Sequence, residues 1–168
     1  MTIQTEHEKV ILQNFKDYLE VKGHIMEIID CPDPPDAIVS IDGKTTFIEL
    51  TNAFFSDSFE RSIISAANGK WKPVSEEERF TVNPNQTSFY RIIDAIEKKY
   101  KERTMLDTME KYGKGTLIVG IYSPFITGEG ILLDYKDEIS SIVSAQQHKI
   151  FNQIYVYNND NFYLVYPI

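Results

Sequence analysis

With 168 residues, an apolar share of 42% and ten each of Tyr and Phe, the chain is predicted to form one domain over residues 1–168, which excludes intrinsic disorder. A single cysteine, Cys31, excludes internal disulfides, and no apolar run approaches the ~20 residues of a membrane span, so we expect a cytoplasmic protein. The net charge of −8 argues against a surface that binds phosphate backbones throughout, although residues 61–103 hold about half of the basic side chains.

The first half of the chain predicts a helix, a short strand and a hairpin. Apolar residues recur at intervals of three and four over residues 6–19, a pattern typical of a helix with one buried stripe. A short strand is predicted over residues 24–29. The Asp42-Gly43 dipeptide separates two alternating apolar runs, and it predicts a β-hairpin with strands over 36–41 and 44–51.

The second half predicts helices around a buried strand and a second hairpin at the end. A long helix is predicted over residues 88–112, with Ser88 as its N-cap and Gly113 as its stop. The other predicted elements are a helix over 56–67, an irregular segment over 68–88, a strand over 116–122, a turn over 124–130, a helix over 136–148 and hairpin strands over 151–157 and 162–166. This alternation predicts an α/β fold with a central mixed sheet and helices on both faces.

The first predicted hairpin brings two carboxylates together. If Asp42 and Gly43 are the turn residues, Asp36 lies directly opposite Glu49, with Cβ atoms roughly 5 Å apart. Like charges at that distance repel each other, and two carboxylates suit a hard cation such as Mg²⁺ or Mn²⁺. The alternative is structural: backbone amides hold Asp36 at a strand start while Glu49 points into solvent. Asp33 also follows a proline, but it lies outside the paired strand and ranks below Asp36.

These residues resemble a known nuclease motif. The Pro35-Asp36 pair and, after a short strand and turn, Glu49-Leu50-Thr51 are similar to the motif of the PD-(D/E)XK nuclease superfamily, and the element order over roughly residues 6–122 matches its core. The resemblance implies a three-layer α/β/α, restriction-endonuclease-like domain. It also implies a hydrolase that cleaves phosphodiester bonds, in DNA before RNA, with Asp36 and Glu49 as catalytic ligands of Mg²⁺ or Mn²⁺.

One position departs from the motif. The family's lysine is expected two residues after the second acid, where this chain has Thr51 on the face of Glu49. Some superfamily members supply a lysine from the following helix, and Lys99 lies seven residues after Ile92 on the buried stripe of the predicted helix. We therefore expect Lys99 as the catalytic replacement, with Lys98 turned away. The alternative is that the stem of Lys99 covers the core while its ammonium reaches water.

Glu8 is the remaining candidate. It lies three residues before Ile11 and seven before Phe15, on the inner face of the first predicted helix. Many members of the superfamily place an acid from that helix beside the metal, so the resemblance implies a catalytic role for Glu8. The alternative is an acid in the first turn that complements the helix dipole.

Two functions other than a nuclease are consistent with the sequence. Because Thr51 replaces the motif lysine, the chain could be a non-catalytic binding or regulatory protein on a degenerate nuclease fold. The net charge alone would suit an acidic immunity or inhibitor protein that binds a basic partner. For the nuclease, the expected partner is nucleic acid, DNA before RNA. A homodimer is a further possibility, and no membrane partner is expected.

Overall fold

The computed structural model describes residues 3–54, 69, 84–122 and 127–167. Within these residues the chain forms four helices and six strands. The helices are α1 (Ile3–Val21), α2 (Pro84–Lys101), α3 (Arg103–Tyr112) and α4 (Gly128–Ser144). The strands are β1 (Met26–Asp30), β2 (Ala37–Ile41), β3 (Lys44–Phe54), β4 (Gly115–Tyr122), β5 (Phe151–Asn158) and β6 (Asn161–Tyr166). The helix predicted over 56–67 and most of the irregular segment after it lie outside the described residues.

The six strands form one mixed sheet in which the spatial order follows the chain order. β3, β4 and β5 run parallel in the centre, and the pairs β1–β2, β2–β3 and β5–β6 are antiparallel. β4 is buried along nearly its whole length, as expected for a strand with neighbours on both edges and side chains packed on both faces. The predicted α/β class and mixed sheet are confirmed.

Alternate side chains of β4 enter two separate apolar clusters. Leu117 and Val119 belong to a cluster that includes buried residues of α2, α3 and α4. Ile118 belongs to a second cluster, to which α1 contributes Ile11 and Phe15. Because successive side chains of a strand point to opposite faces, the two clusters lie on opposite faces of the sheet. Side chains of β3 on the first of these faces therefore point toward α2.

The β2–β3 hairpin forms with the predicted turn and register. Asp42 and Gly43 both have positive φ, 50° and 79°, which the two central residues of a type I′ turn require. The paired residues run from Ile41 with Lys44 to Ala37 with Ile48. β2 begins at Ala37, one residue later than predicted, so Asp36 stands just before the strand.

The structure places the starts of α2 and α4 before the predicted ones. α2 begins at Pro84, and Ser88 is buried inside it, so the predicted N-cap is wrong; proline suits the first turn because that turn's N–H groups have no partner in the helix. α4 begins at Gly128 rather than near residue 136, because the Thr127 side chain caps it by accepting a hydrogen bond from the Gly130 N–H. The predicted stop at Gly113 and the terminal hairpin are confirmed.

None of the helices in the described parts of the chain is long and apolar enough to cross a membrane.

A close contact between β3 and β4 offers a test of this packing. A Cβ at Gly115 would lie 2.5 Å from ring atoms of Phe47, which is fully buried. We expect Gly115→Ala to lower the free energy of unfolding by about 1–3 kcal/mol in urea denaturation, because the ring has no room to move. The double variant Phe47→Leu/Gly115→Ala should lose less than the sum of the two single variants. Wild-type stability in Gly115→Ala would contradict the contact.

Candidate functional site

Asp36 and Glu49 each accept a hydrogen bond from a backbone N–H across the hairpin. The Leu50 N–H donates a hydrogen bond to Asp36 Oδ2 at 2.6 Å, and the Asp36 N–H donates to Glu49 Oε2 at 3.3 Å. Extending the β2–β3 pairing by one residue beyond Ala37 and Ile48 places Asp36 opposite Glu49, as predicted. The alternative is correct in one part, since a backbone amide does hold Asp36. It is wrong about Glu49, which is only 4% exposed and points toward α2.

Lys99 reaches this pair from α2. Its Nζ lies 2.6 Å from Glu49 Oε1, and its side chain is 16% exposed. The ammonium is therefore held at the carboxylate and does not extend into water, so the alternative of a lysine that only covers the core is wrong. Lys98 is exposed, as predicted. Thr51 lies two residues after Glu49 on β3 and shares its face, as predicted.

Glu102 is a member of the cluster that the sequence analysis missed. Its Oε2 accepts a hydrogen bond from Lys99 Nζ at 3.2 Å. The single helix predicted over 88–112 is interrupted at Glu102, whose backbone is extended, with φ −72° and ψ 120°. Neither glycine nor proline marks this interruption. The spacing of three between Lys99 and Glu102 is the one sequence signal that could have suggested the contact.

The charges of the cluster change the acidity of its members. Burial raises the pKa of Glu49 to about 7, and the charge of Asp36 adds to this effect against the opposing influence of Lys99. Burial likewise raises the pKa of Asp36, although the hydrogen bond from Leu50 and the charge of Lys99 oppose it. Burial alone would lower the pKa of Lys99, but its contacts with Glu49 and Glu102 raise it overall.

Glu8 lies near the same end of the hairpin. It is half-buried on α1. Burial raises the pKa of the Cys31 thiol, and the charges of Asp30, Asp36 and Glu8 raise it further, so Glu8 and Asp36 both lie within electrostatic range of one thiol. The structure thus brings Asp36, Glu49 and Lys99 into one cluster, while the predicted catalytic role of Glu8 stays a prediction.

Within the cluster, the candidate donor set for a metal ion is the carboxylate pair of Asp36 and Glu49. Among the residues that the structure describes, no group of three or more His, Cys, Asp or Glu side chains is arranged to hold a metal ion. Glu49 Oε1 accepts a hydrogen bond from Lys99 Nζ. Among the described residues, Glu49 Oε2 accepts only a long hydrogen bond from the Asp36 N–H. Two adjacent carboxylates whose pKa values are both raised suit a hard divalent cation that keeps several water ligands, as Mg²⁺ does.

Comparison with known proteins adds no relative. No protein-family model matches the chain, and neither a curated protein nor a solved structure matches it significantly.

The raised pKa values of Glu49 and Asp36 predict how stability depends on pH. A folded-state pKa of about 7 for Glu49, above its ordinary 4.5, means that the unfolded chain releases this proton at lower pH than the folded protein. Stability of the metal-free protein should therefore fall as pH rises through this window, and Asp36 acts in the same direction. In thermal melting, the melting temperature of Glu49→Gln should decrease less across this pH window than that of wild type. Glu110→Gln, on the exposed side of α3, should show the wild-type decrease. A wild-type stability that rises across the window would contradict this prediction.

Proposed function

We propose that the protein is a metal-dependent phosphodiesterase of the PD-(D/E)XK type that acts on nucleic acid, DNA before RNA. One observation carries the proposal. Lys99, from a separate helix, places its ammonium 2.6 Å from Glu49, at the point where Asp36 meets Glu49 across the hairpin. Two acids can hold a divalent cation that activates water, and a nearby ammonium can offset the negative charge that develops on the phosphate during phosphodiester hydrolysis.

The fold agrees with this proposal. The hairpin carries both acids, the parallel β3–β4 pair follows it, and α1 packs on one face of the sheet while α2, α3 and α4 pack on the other. This arrangement is the one expected of a three-layer, restriction-endonuclease-like domain. The described elements therefore support the same reading as the residues of the cluster.

Asp36 and Glu49 are the residues that would hold the cation. When bound, Mg²⁺ would supply an activated water and a counter-charge for the phosphate. Leu50 prepares the site by donating its N–H to Asp36, which keeps that carboxylate turned toward Glu49. The Asp36 N–H orients Glu49 in the same way. Both acids are thus held in place by the backbone before any ligand arrives.

Lys99 takes the role that Thr51 cannot fill. Its ammonium is held beside Glu49, so it can donate a hydrogen bond to a phosphate oxygen and offset the negative charge that develops in the transition state. Its position on a helix rather than on β3 does not change this chemistry, because only the place of the ammonium matters.

Exposed cations at the helix interruption favour nucleic acid as the substrate. The side chains of Lys101 and Arg103 are 76% and 91% exposed on either side of Glu102. Their acidic neighbours lie 3.9 Å away, and exposed ion pairs of that kind contribute only about 0–1 kcal/mol. These cations can therefore exchange their partners for phosphates, which would give the acidic protein a local binding surface.

A bound cation should stabilise the folded protein. We expect Mg²⁺ or Mn²⁺ to raise the melting temperature, by an amount equivalent to about 2.7 kcal/mol at a hundredfold excess over Kd. Glu49→Gln and Asp36→Ala should abolish the increase, because each removes a ligand, and Glu110→Gln should retain it. Calorimetric titration measures the same binding directly. Equal increases in wild type and in Glu49→Gln would show that the ion binds elsewhere.

Catalysis should depend on Lys99 more strongly than metal binding does. With Mn²⁺ and a panel of DNA substrates, Lys99→Ala should reduce cleavage by about 10²–10³, because it removes transition-state stabilisation. Metal affinity should persist, since Lys99 is not a ligand. Lys98→Ala is the matched control and should cleave at close to the wild-type rate. A wild-type protein that cleaves no nucleic acid would instead leave a non-catalytic protein in which the cluster is a structural ion network.

A further inference from the structure

The ammonium of Lys99 lies between two carboxylates that come from different elements. Glu49 Oε1, on β3, is 2.6 Å from Nζ, and Glu102 Oε2, after the end of α2, is 3.2 Å from it. Glu49 is buried, whereas the side chain of Glu102 is 30% exposed. The two partners of Lys99 are therefore not equivalent, since one belongs to the acid pair and the other stands outside it.

The interruption between α2 and α3 sets the position of Glu102. Its N–H donates to the Lys99 carbonyl at 3.3 Å, and its carbonyl accepts from the Met105 N–H at 3.1 Å. The backbone thus ends one helix and starts the next at this single residue. Both ends of the Glu102 backbone are anchored, so the carboxylate is restrained beside Lys99 rather than carried by a flexible loop.

A cation at Asp36 and Glu49 would weaken the first of these two contacts. Once Glu49 shares its charge with a divalent ion, it attracts the ammonium less, and the ion itself repels Lys99. If Glu49 were its sole partner, the Lys99 ammonium would then move toward solvent, although its proposed role in the reaction requires it at the site. Glu102 lies outside the acid pair, so it keeps its full charge for Lys99.

We propose that Glu102 is a positioning residue that holds the Lys99 ammonium at the site when the charge of Glu49 is compensated. The kinetic part of this inference rests on the proposed function. The structural part does not, because Glu49→Gln removes the charge of Glu49 without any metal and creates the same condition.

The structural part can be tested by NMR on protein labelled with ¹⁵N at the lysine Nζ. The Lys99 ammonium gives a proton signal only while its contacts slow exchange with water. Glu49→Gln should keep this signal through Glu102, and the double variant Glu49→Gln/Glu102→Gln should lose it. Glu49→Gln/Glu110→Gln is the matched control and should keep it. Loss of the signal in Glu49→Gln alone, or its survival in the first double variant, would overturn the proposal.

The single variant Glu102→Gln tests the contact with Lys99 even if Glu49→Gln does not fold. Its Lys99 ammonium protons should exchange about tenfold faster than in wild type, because one charged hydrogen bond is lost. Unchanged exchange would overturn the proposal in the same way.

Kinetics then tests whether the position matters for the reaction. Glu102→Gln should lower kcat about tenfold and leave KM within about twofold, while Glu102→Asp should recover part of the loss. A wild-type kcat in Glu102→Gln would overturn the kinetic part. If wild-type protein cleaves no DNA or RNA, the proposed function fails, and the NMR signals alone decide the role of Glu102.

Discussion

A carboxylate buried beneath a helix is stabilised by a counter-charge that is buried with it, because an isolated charge loses its hydration. Glu49 is buried under α2 and receives this counter-charge from Lys99, 50 positions further along the chain. α2 also supplies Ile92 and Ile96 to the apolar cluster on that face of the sheet. Apolar packing and this ion pair therefore act together between α2 and the sheet.

The hairpin beneath the helix makes this arrangement rigid. Asp36 and Glu49 each accept a hydrogen bond from a backbone N–H across the hairpin, so their orientation does not depend on Lys99 alone. Such prior orientation is useful in a reactive site, because a ligand then meets groups that do not have to be ordered on binding. It also explains why two like charges can persist side by side, since the backbone contacts offset part of their repulsion.

The cluster contains more acid than a structural ion pair needs. One ammonium, that of Lys99, faces the carboxylates of Asp36, Glu49 and Glu102, and the pKa values of Asp36 and Glu49 are both raised. A stabilising pair would be expected to lower the pKa of its acid. Raised carboxylate pKa values in a buried cluster are typical of sites that bind a further cation or transfer protons, which supports the proposed function over a structural network.

The sequence alone determined the parts of the site that follow from local periodicity. The Asp-Gly turn sets the register that places Asp36 opposite Glu49, and helical spacing places Lys99 on the inner stripe of its helix. Tertiary structure decided what local patterns do not contain. The interruption at Glu102 has no glycine or proline to announce it, and it depends on how α2 and α3 pack on the sheet. Whether Lys99 reaches Glu49 or water was likewise open in the sequence, because only the distance between helix and sheet fixes the end of a long side chain.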